Sequence, residues 1–334
     1  MCGIAGFWNH APLSSGAHAT LERMLERIHH RGPDGRGRHL DTEAGLALGH
    51  TRLSIIDLQG GRQPLSSRDK RVWLTVNGEL YDYKRIRAEL ACAGERFETK
   101  ADSEIAIPLY RRDGLGFVEQ LRGEFALVLY DADERRLVLV RDRFGIKPLY
   151  FHRSRSGIVW GSEIKAIVAH DDVPARLCPK AGLNQLMQTM VPGTTAFQGI
   201  EALLPGEMLI VTERSGRFEY QRRRYWDAEF PRQGEHDDPE RPEIHVRAVR
   251  DGLLEAIQLR LEADVPVGCY LSGGIDSCSI LGVASAMQQS EVKAFTIAFD
   301  HADYDESHIA AEMAAATGAD QVQITLGAAD LYGS

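Results

Sequence analysis

The second residue of the chain, Cys2, lies in the stretch MCGIAGFW. Removal of Met1, which a small second residue permits, would leave a thiol and a free α-amine on one residue. An α-amine has an ordinary pKa of about 7.7–8.0, so it can take the thiol proton near neutral pH, directly or through one water. Cys2 could then be a nucleophile that carries its own general base. Taken alone, a cysteine at this position is more often a buried structural residue of a first strand.

Four other stretches place polar groups at the edges of predicted strands or turns. The side-chain amide of Asn77 and the backbone N–H of Gly78 could form an oxyanion hole. Arg52 could bind an α-carboxylate with two hydrogen bonds, and Asp102 could accept hydrogen bonds from an α-ammonium group. Singly, such residues more often belong to surface ion pairs or hairpin turns. Together they supply what a thiol that hydrolyses an amide requires. The stretches are HHRGPDG (29–35), GHTRLSIID (49–57), VNGELYDY (76–83) and TKADSEI (99–105).

A second group of residues, LSGGIDSCSI (271–280), lies between a predicted strand and a predicted helix. Its two glycines and its serines would let backbone N–H groups close around a phosphate, and the helix N-terminus would add its positive end. It is not a Walker A loop, because no GKS or GKT follows. An ordinary strand–helix turn with Ser277 near the cap would explain a lone SGG equally well.

The composition excludes several classes of protein. The 334 residues suffice for about two domains, and 43% hydrophobic with 26% charged residues is ordinary for a globular protein. The net charge of −9 argues against nucleic-acid binding. We find no apolar run long enough for a bilayer and no signal-peptide pattern, so we expect a cytoplasmic protein with no membrane partner. The scattered, odd-numbered cysteines argue against a disulfide framework and a structural zinc site; they are Cys2, Cys92, Cys178, Cys269 and Cys278.

The periodicity of apolar residues predicts how these groups are positioned. Residues 1–211 alternate short strand-like runs with helices such as ATLERMLERIHH (19–30), and two of the runs flank Asp131–Glu134 with hairpin spacing. This pattern predicts an α+β layered domain. Residues 212–243 are rich in charge and proline, and we predict a linker. From residue 244 to 334, strands and helices alternate, which is typical of a parallel sheet, and the strand before the SGG turn is predicted to be buried.

Six motifs resemble, in chain order, the glutaminase domain of class II glutamine amidotransferases: MCGIAGFW, HHRGPDG, TRLSII, VNGELYDY, ADSEI and RDRFGIKPLYF. The resemblance implies a four-layer αββα sandwich of the N-terminal nucleophile hydrolase type over residues 1–211. It also implies that Cys2 attacks the side-chain amide of glutamine, with Asn77 and Gly78 as the oxyanion hole. The glutamine-holding positions that it implies are Arg52, Leu53, Ser54, Ile55, Ile56, Asn77, Gly78, Glu79 and Asp102.

The SGGIDS loop resembles the pyrophosphate-binding loop of ATP pyrophosphatases. This implies an α/β parallel-sheet domain, incomplete in residues 244–334, with ATP and Mg²⁺ as substrate and no prosthetic group. A glutaminase followed by this loop resembles the glutamine-hydrolysing asparagine synthetases, as do SEIKAI, LLPGEMLIV and RRYWD. The family adenylates aspartate and then amidates it; a homodimer is a further expectation. The implied roles are phosphate contact for Ser272, Gly273, Gly274 and Ser277, Mg²⁺ contact for Asp276, and adenosine contact at strand ends for Leu271 and Ile297.

Several alternatives stay open. The acceptor could be another carboxylic acid, and a catalytically silent glutamine-binding module would keep the same pocket. The apolar segment Leu183–Gly206 suits the wall of an ammonia tunnel and a plain domain interface equally well. Three predicted strands are fewer than the resemblance implies, so we expect a fragment of a longer synthetase rather than one half of a split enzyme.

Overall fold

The computed structural model describes residues 1–189, 191–232, 241–288, 291–301, 303, 305–327 and 329–330. Part of the predicted linker, residues 233–240, lies outside the described residues. Contacts between residues divide the chain into two units, Met1–Phe230 and Pro231–Ser334. No helix in the described part of the chain combines the length and the apolar character that a membrane span needs.

Two antiparallel sheets form the centre of the first unit. Its described strands are β1 (Gly3–Asn9), β2 (Gly35–Asp41), β3 (Leu46–Arg52), β4 (Leu65–Ser66), β5 (Val72–Tyr81), β6 (Arg122–Asp131), β7 (Arg136–Arg141), β8 (Tyr150–Arg153), β9 (Gly157–Gly161), β10 (Ile200–Ala202), β11 (Glu207–Arg214) and β12 (Arg217–Arg224). Sheet A has the order β10-β8-β9-β1-β3-β2, and sheet B has the order β12-β11-β7-β6-β5-β4.

Helices cover the outer face of each sheet. In the described residues they are α1 (Ala17–Arg27), α2 (Tyr83–Cys92), α3 (Ala106–Asp113), α4 (Phe117–Gln120), α5 (Ile164–Ile167) and α6 (Pro179–Leu186), with 3₁₀ turns at His29–Arg31, Asp102–Ile105 and Gly114–Gly116. Leu21 and Leu25 of α1 pack with Phe7 on sheet A. On the other side, Ile86 and Leu109 of α2 and α3 pack on sheet B. The layers are therefore helix, sheet, sheet, helix, as predicted.

Strand β6 shows how the sequence produces these layers. Its run FALVLY is apolar at every position, because alternate side chains face opposite sides of the sheet and both sides are covered. Ala126 and Val128 belong to the apolar cluster between the sheets, which we call the inter-sheet cluster. Phe125 and Leu127 belong to the cluster beneath α2 and α3. Burial of such side chains contributes about 1.5–3 kcal/mol each. The predicted hairpin is confirmed as the antiparallel β6–β7 pair.

The linker prediction is wrong for residues 212–224. These residues form the end of β11 and all of β12, which pair antiparallel from Glu207–Arg224 to Arg214–Arg217. Phe218 and Tyr220 pack against the inter-sheet cluster from alternate positions of β12. The other residues of β12 are exposed and mostly charged, as expected for an edge strand, and this charge explains why the sequence predicts a linker.

The second unit has the predicted alternation of strands and helices. Its described elements are α7 (Pro242–Arg260), β13 (Gly268–Tyr270), α8 (Ile275–Met287), β14 (Lys293–Phe299), α9 (Ser307–Thr317) and β15 (Asp320–Leu326). The strands are parallel in the order β13-β14-β15. Ala294 of β14 lies on the covered face with Leu281 of the preceding helix α8 and Ala310 of the following helix α9. The prediction that β13 is buried is wrong, because it is an edge strand and Tyr270 is 85% exposed.

Candidate active site

One cavity of the first unit contains the predicted nucleophile and residues of both sheets. Its volume is about 60 Å³, and Met1 and Cys2 both line it. Every predicted glutamine-holding residue lines this cavity except Ser54, which lines an adjoining one. Residues that we did not predict also line it, namely His50, Gly61, Gln63, Ala101, Ser103 and Lys147.

Cys2 is partly buried at the start of β1 and is held by the backbone of Leu53. The Leu53 N–H donates to the Cys2 Sγ at 3.4 Å, and the thiol donates to the Leu53 carbonyl at 3.5 Å. Burial raises the pKa of the Cys2 thiol, while the Leu53 backbone and the charged α-amine of Met1 lower it. Because burial is the largest of these effects, the thiol needs a base to become a nucleophile.

Arg31 fixes the backbone of Cys2. Its Nε donates to the Cys2 carbonyl at 2.9 Å, and its Nη1 donates to Glu163 Oε1 at 3.0 Å. Glu163 also contacts Lys165 Nζ and His30 Nε2, each at 2.9 Å. Burial alone would raise the pKa of the Glu163 carboxyl, but hydrogen bonds from these three side chains lower it to about 2. The start of the chain is therefore tied to an ionised carboxylate.

The backbone N–H of Gly78 points away from sheet B. Gly78 lies opposite Phe125 of β6, and the Phe125 carbonyl accepts from the Asp142 N–H at 2.8 Å, on the other side of β6. In an antiparallel pair this makes Gly78–Phe125 a non-hydrogen-bonded pair, so the Gly78 N–H faces the open edge of β5. Gly78 has φ +149°, and an added Cβ would overlap the Glu124 carbonyl oxygen. Only glycine fits at this position.

The two neighbouring N–H groups on that edge are already bonded. The Val76 N–H donates to Gln63 Oε1 at 2.6 Å, and the Leu80 N–H donates to Asp102 Oδ2 at 2.6 Å. The Gly78 N–H lies between them. The edge of β5 therefore offers one backbone donor to a ligand, flanked by two donors that are held by side chains.

Asn77 supplies a second donor beside Gly78. It lies opposite Ala126, a member of the inter-sheet cluster, so its side chain points toward sheet A, which carries Cys2. Asn77 is fully buried, and among the described residues neither its Nδ2 nor its Oδ1 has a hydrogen-bond partner. An unpaired buried amide destabilises a fold by about 1–3 kcal/mol. Such a group is expected where a ligand supplies the missing partner.

Arg52 has contacts that the sequence did not predict. Its guanidinium is nearly buried and donates to the carbonyls of Ile56 at 3.2 Å, Asp57 at 2.6 Å and Leu58 at 3.4 Å. It therefore anchors the loop that follows β3. Asp102 is buried as well, and burial raises the pKa of its carboxyl. A bound ammonium group would favour its ionised form.

The SGGIDS loop of the second unit joins β13 to α8. Ser277 Oγ donates to the Gly274 carbonyl at 3.0 Å, accepts from the Ser272 N–H at 3.2 Å and contacts Ser272 Oγ at 3.2 Å. Gly273 has φ +85°, which suits glycine. The loop thus forms the tight turn before a helix N-terminus that phosphate binding requires, but its hydroxyl groups bond to the loop itself.

Two predicted adenosine contacts are not placed as expected. Leu271 is 1% exposed and packs in the core of the second unit, so its side chain does not line an open site. Ile297 lies within β14 rather than at its end and is 54% exposed. Asp276 lies in the first turn of α8. Among the described residues no three His, Cys, Asp or Glu side chains are grouped closely enough to hold a metal ion.

The family model of the glutamine amidotransferase domain matches residues 1–226. The chain belongs to this family. The asparagine synthase model matches residues 248–334 of the chain. The fold of the chain resembles that of the allosteric regulatory enzyme of purine biosynthesis, with a TM-score of 0.50 and 17% identity over 97% of this chain and 80% of that one.

Curated relatives of this chain carry two kinds of name. Amidase chyE of Penicillium rubens is 41% identical and amidase chry2 of Gibberella zeae is 39% identical. Asparagine synthetase [glutamine-hydrolyzing] 1 of Bacillus subtilis is 35% identical. Each match covers 96% of this chain and 50% of the relative. The chain therefore spans about half the length of these curated relatives.

Other residues of the candidate site were missed because only their surroundings reveal them. Lys147 is almost buried, and its Nζ lies 3.5 Å from Glu124 Oε1, in the strand beside β5. It belongs to the motif RDRFGIKPLYF, which we quoted for the family resemblance without assigning a role to it. The apolar segment Leu183–Gly206 exposes Leu186 and Met187, which suits either of its two interpretations; Met190 lies outside the described residues.

Proposed function

We propose that the first unit hydrolyses glutamine at Cys2 and that the whole protein uses ATP to join the released ammonia to a carboxylic acid. The observation that supports glutamine hydrolysis best is the pairing of the unpartnered Asn77 amide with the outward Gly78 N–H in the cavity of a thiol. These two donors suit the oxygen of a carbonyl under attack.

The proposed reaction starts with removal of Met1, which would also enlarge the cavity that Met1 lines. The α-amine of Cys2 then takes the thiol proton, and the sulfur attacks the carbonyl carbon (Cδ) of the glutamine side-chain amide. The oxyanion accepts hydrogen bonds from Asn77 and Gly78. The carbon–nitrogen bond breaks, and the amine returns its proton to the leaving ammonia. Water next cleaves the thioester, releasing glutamate and the free thiol.

Glutamine would be held at its amino-acid end by two charged groups. Asp102 accepts hydrogen bonds from the α-ammonium, and those N–H groups of Arg52 that do not hold the loop after β3 donate to the α-carboxylate. The rest of the proposed site surrounds the side chain and the backbone of the substrate: Leu53, Ser54, Ile55, Ile56 and Glu79.

We assign the ATP-dependent half of the reaction to the second unit, completed by sequence equivalent to the part of the curated relatives that this chain does not span. An oxygen of the acceptor carboxylate attacks the α-phosphorus of ATP, and pyrophosphate leaves. Ammonia then attacks the carboxyl carbon of the adenylate, and AMP leaves. Ser272, Gly273, Gly274 and Ser277 would donate to phosphate oxygens, and the backbone of Leu271 and the side chain of Ile297 would lie near the adenosine. Magnesium bound with ATP would neutralise phosphate charge, with Asp276 as a ligand beside phosphate oxygens.

Aspartate is our first candidate for the acceptor because of the relatives named asparagine synthetase. A different carboxylic acid is the second candidate, since relatives of higher identity are named amidase. Product analysis with the full-length protein, ATP, glutamine and a panel of carboxylic acids separates the two. We expect stoichiometric pyrophosphate with only one class of acid.

Glutamate release from glutamine tests the hydrolytic half. We expect Cys2→Ala to abolish it, and Cys178→Ala, which removes another partly buried thiol of the first unit, to leave it unchanged. Intact-mass analysis of the same sample should show that Met1 is absent from active protein. Activity in Cys2→Ala, or in protein that retains Met1, contradicts the mechanism. A processed wild type that binds glutamine without releasing glutamate identifies a silent binding module instead.

A further inference from the structure

Strand β5 has an open edge where it borders the cavity. Its neighbour β4 pairs only with Trp73 and Leu74, so no described strand covers the edge from Thr75 onward. Val76 presents both its N–H and its carbonyl at this edge. Side chains meet both groups: Gln63 Oε1 accepts from the N–H at 2.6 Å, and His50 Nε2 lies 3.1 Å from the carbonyl oxygen.

The His50 ring reaches from one sheet to the other. His50 lies in β3 of sheet A opposite Ile4, a member of the inter-sheet cluster, so its side chain points toward sheet B. It is 1% exposed. A carbonyl oxygen can only accept, so Nε2 must carry the proton that bonds to Val76. Burial lowers the pKa of His50 to about 4, which keeps the ring neutral and the tautomer defined at neutral pH.

Gln63 holds the same residue of β5 from the loop after β3. The backbone of Gln63 lies so close to Gly37 of β2 that a Cβ added at Gly37 would overlap the Gln63 carbonyl oxygen. Sheet A therefore contacts Val76 in two ways. His50 bonds to it directly from β3, and Gln63 bonds to it from the loop that packs on β2. Cys2 immediately precedes β1, which pairs with β3 in the same sheet.

We propose that His50 and Gln63 are positioning residues that hold Val76, and that they thereby set the Asn77 amide and the Gly78 N–H at the correct distance from Cys2. The nucleophile and the oxyanion donors belong to different sheets, so their separation depends on contacts that cross between the sheets. A displacement of about 1 Å at such a site lowers the rate by about 100-fold. This inference rests on the proposed hydrolysis of glutamine.

The test compares variants that remove or keep the hydrogen-bonding group. His50→Leu removes the donor and His50→Gln retains one; Gln63→Leu removes the acceptor and Gln63→Glu retains one. His39→Leu is the matched control, since His39 in β2 stacks on Trp73 of β5 with ring centroids 3.5 Å apart but makes no hydrogen bond to the β5 edge among the described contacts. Three measurements are made on the purified protein: steady-state glutamine hydrolysis, alkylation of Cys2 by iodoacetamide, and amide hydrogen exchange in peptides covering residues 72–81.

We expect each leucine variant of His50 and Gln63 to lower kcat by about 10- to 100-fold with KM within about threefold. The rate of Cys2 alkylation should stay at the wild-type value, because alkylation does not use the oxyanion donors. Exchange in residues 72–81 should become faster. His50→Gln and Gln63→Glu should recover most of kcat, and His39→Leu should match the wild type.

Three results would overturn the proposal. One is a folded leucine variant of either residue with wild-type kcat and exchange. Another is equal loss of kcat in the leucine variant and its conservative partner. The third is parallel loss of Cys2 alkylation, which would place the effect on the thiol. If the wild type releases no glutamate, the proposed hydrolysis fails, and unchanged exchange in the leucine variants then also refutes the positioning role.

Discussion

The Cys2 cavity and the SGGIDS loop differ in what their polar groups do before any ligand binds. In the cavity, the Asn77 amide is buried without a partner among the described residues, and the Gly78 N–H faces an open strand edge. In the loop, the hydroxyls of Ser272 and Ser277 are exposed and bond to each other and to the loop backbone. The donors of the cavity are therefore in place and unpaired before a ligand binds. The loop must break internal hydrogen bonds before its hydroxyl groups can bond to a ligand.

The difference follows from how the two folds bury their residues. The cavity lies between two sheets whose cores fix every neighbouring strand, so unpaired donors can be kept in place at an energetic cost. The loop lies on the surface of a three-stranded sheet, where an unpaired hydroxyl would bond to water instead. Substitutions in the cavity should therefore change rates strongly, and substitutions in the loop should change them moderately.

The largest effect is expected for Gly78→Ala. The added Cβ would overlap the Glu124 carbonyl, so the strand must shift and the Gly78 N–H with it. We expect a loss of glutamine hydrolysis of at least about 100-fold and a clear decrease in the free energy of unfolding, measured by urea denaturation. Gly94→Ala is the control: Gly94 also has a positive φ, +98°, but an added Cβ there meets nothing within 4 Å. It should lower stability by about 1–3 kcal/mol through strain alone and keep full activity.

Asn77→Ala should separate activity from stability. Among the described residues the side chain has no hydrogen bond to lose, so the free energy of unfolding should not fall by more than about 1 kcal/mol. We expect kcat to fall by about 10²–10³-fold, because the substitution removes a proposed donor to the oxyanion. Asp102→Ala is the comparison, because it removes the acceptor of the Leu80 N–H and should lower both quantities. A large loss of stability in Asn77→Ala would show that the amide is satisfied in solution and is not held ready.

Most of the layered fold could be predicted from the sequence because its signals are local. The run FALVLY is apolar on both faces, the helices have one apolar face, and the β6–β7 hairpin has a short connection. Strand β12 could not be predicted, since Phe218 and Tyr220 are its main apolar residues among many charges. The exposure of β13 depends on its place at the sheet edge, which no local pattern records.

The candidate site could be predicted only as far as its residue types indicate chemistry. Cys2, Asn77 and Asp102 were predicted because a thiol, an amide and a carboxylate have recognisable roles. Arg31 and His50 were missed because each bonds to a backbone carbonyl 26 to 29 residues away in the chain. A backbone carbonyl looks the same in every residue, so only the fold shows which one a side chain will reach.

A moderate effect is expected for Ser277→Ala in the loop. The substitution removes the acceptor of the Ser272 N–H and a donor to the Gly274 carbonyl, both exposed, so the free energy of unfolding should fall by no more than about 1 kcal/mol. ATP-dependent amide formation by the full-length protein should fall by about tenfold, through a phosphate hydrogen bond worth roughly 1.5 kcal/mol. Glutamine hydrolysis should not change. Ser279→Ala, which loses only a bond to the Ile275 carbonyl within α8, should behave as the wild type in both assays.

A pH dependence of stability is also expected from the first site. Burial lowers the pKa of His50 from an ordinary value of 6.5 to about 4 in the folded protein, and the nearby Arg52 charge acts in the same direction. Between pH 6.5 and pH 4 the unfolded chain therefore binds the proton that the folded chain excludes, so this contribution to stability is complete above pH 6.5 and decreases as the pH falls through that range.

Urea denaturation at pH 7.5, 5.5 and 4.5 should give a smaller decrease in the free energy of unfolding in His50→Gln than in the wild type, because glutamine does not titrate. His39→Gln is the control for a general histidine effect, because burial also lowers the pKa of His39 but its ring makes no hydrogen bond to the β5 edge among the described contacts. Equal decreases in the wild type and His50→Gln would mean that the His50 ring is protonated as easily in the folded protein as in the unfolded chain. In that case burial would not keep the His50 ring neutral where it bonds to Val76. The contrast between a preformed cavity and an adaptable loop would then be weaker.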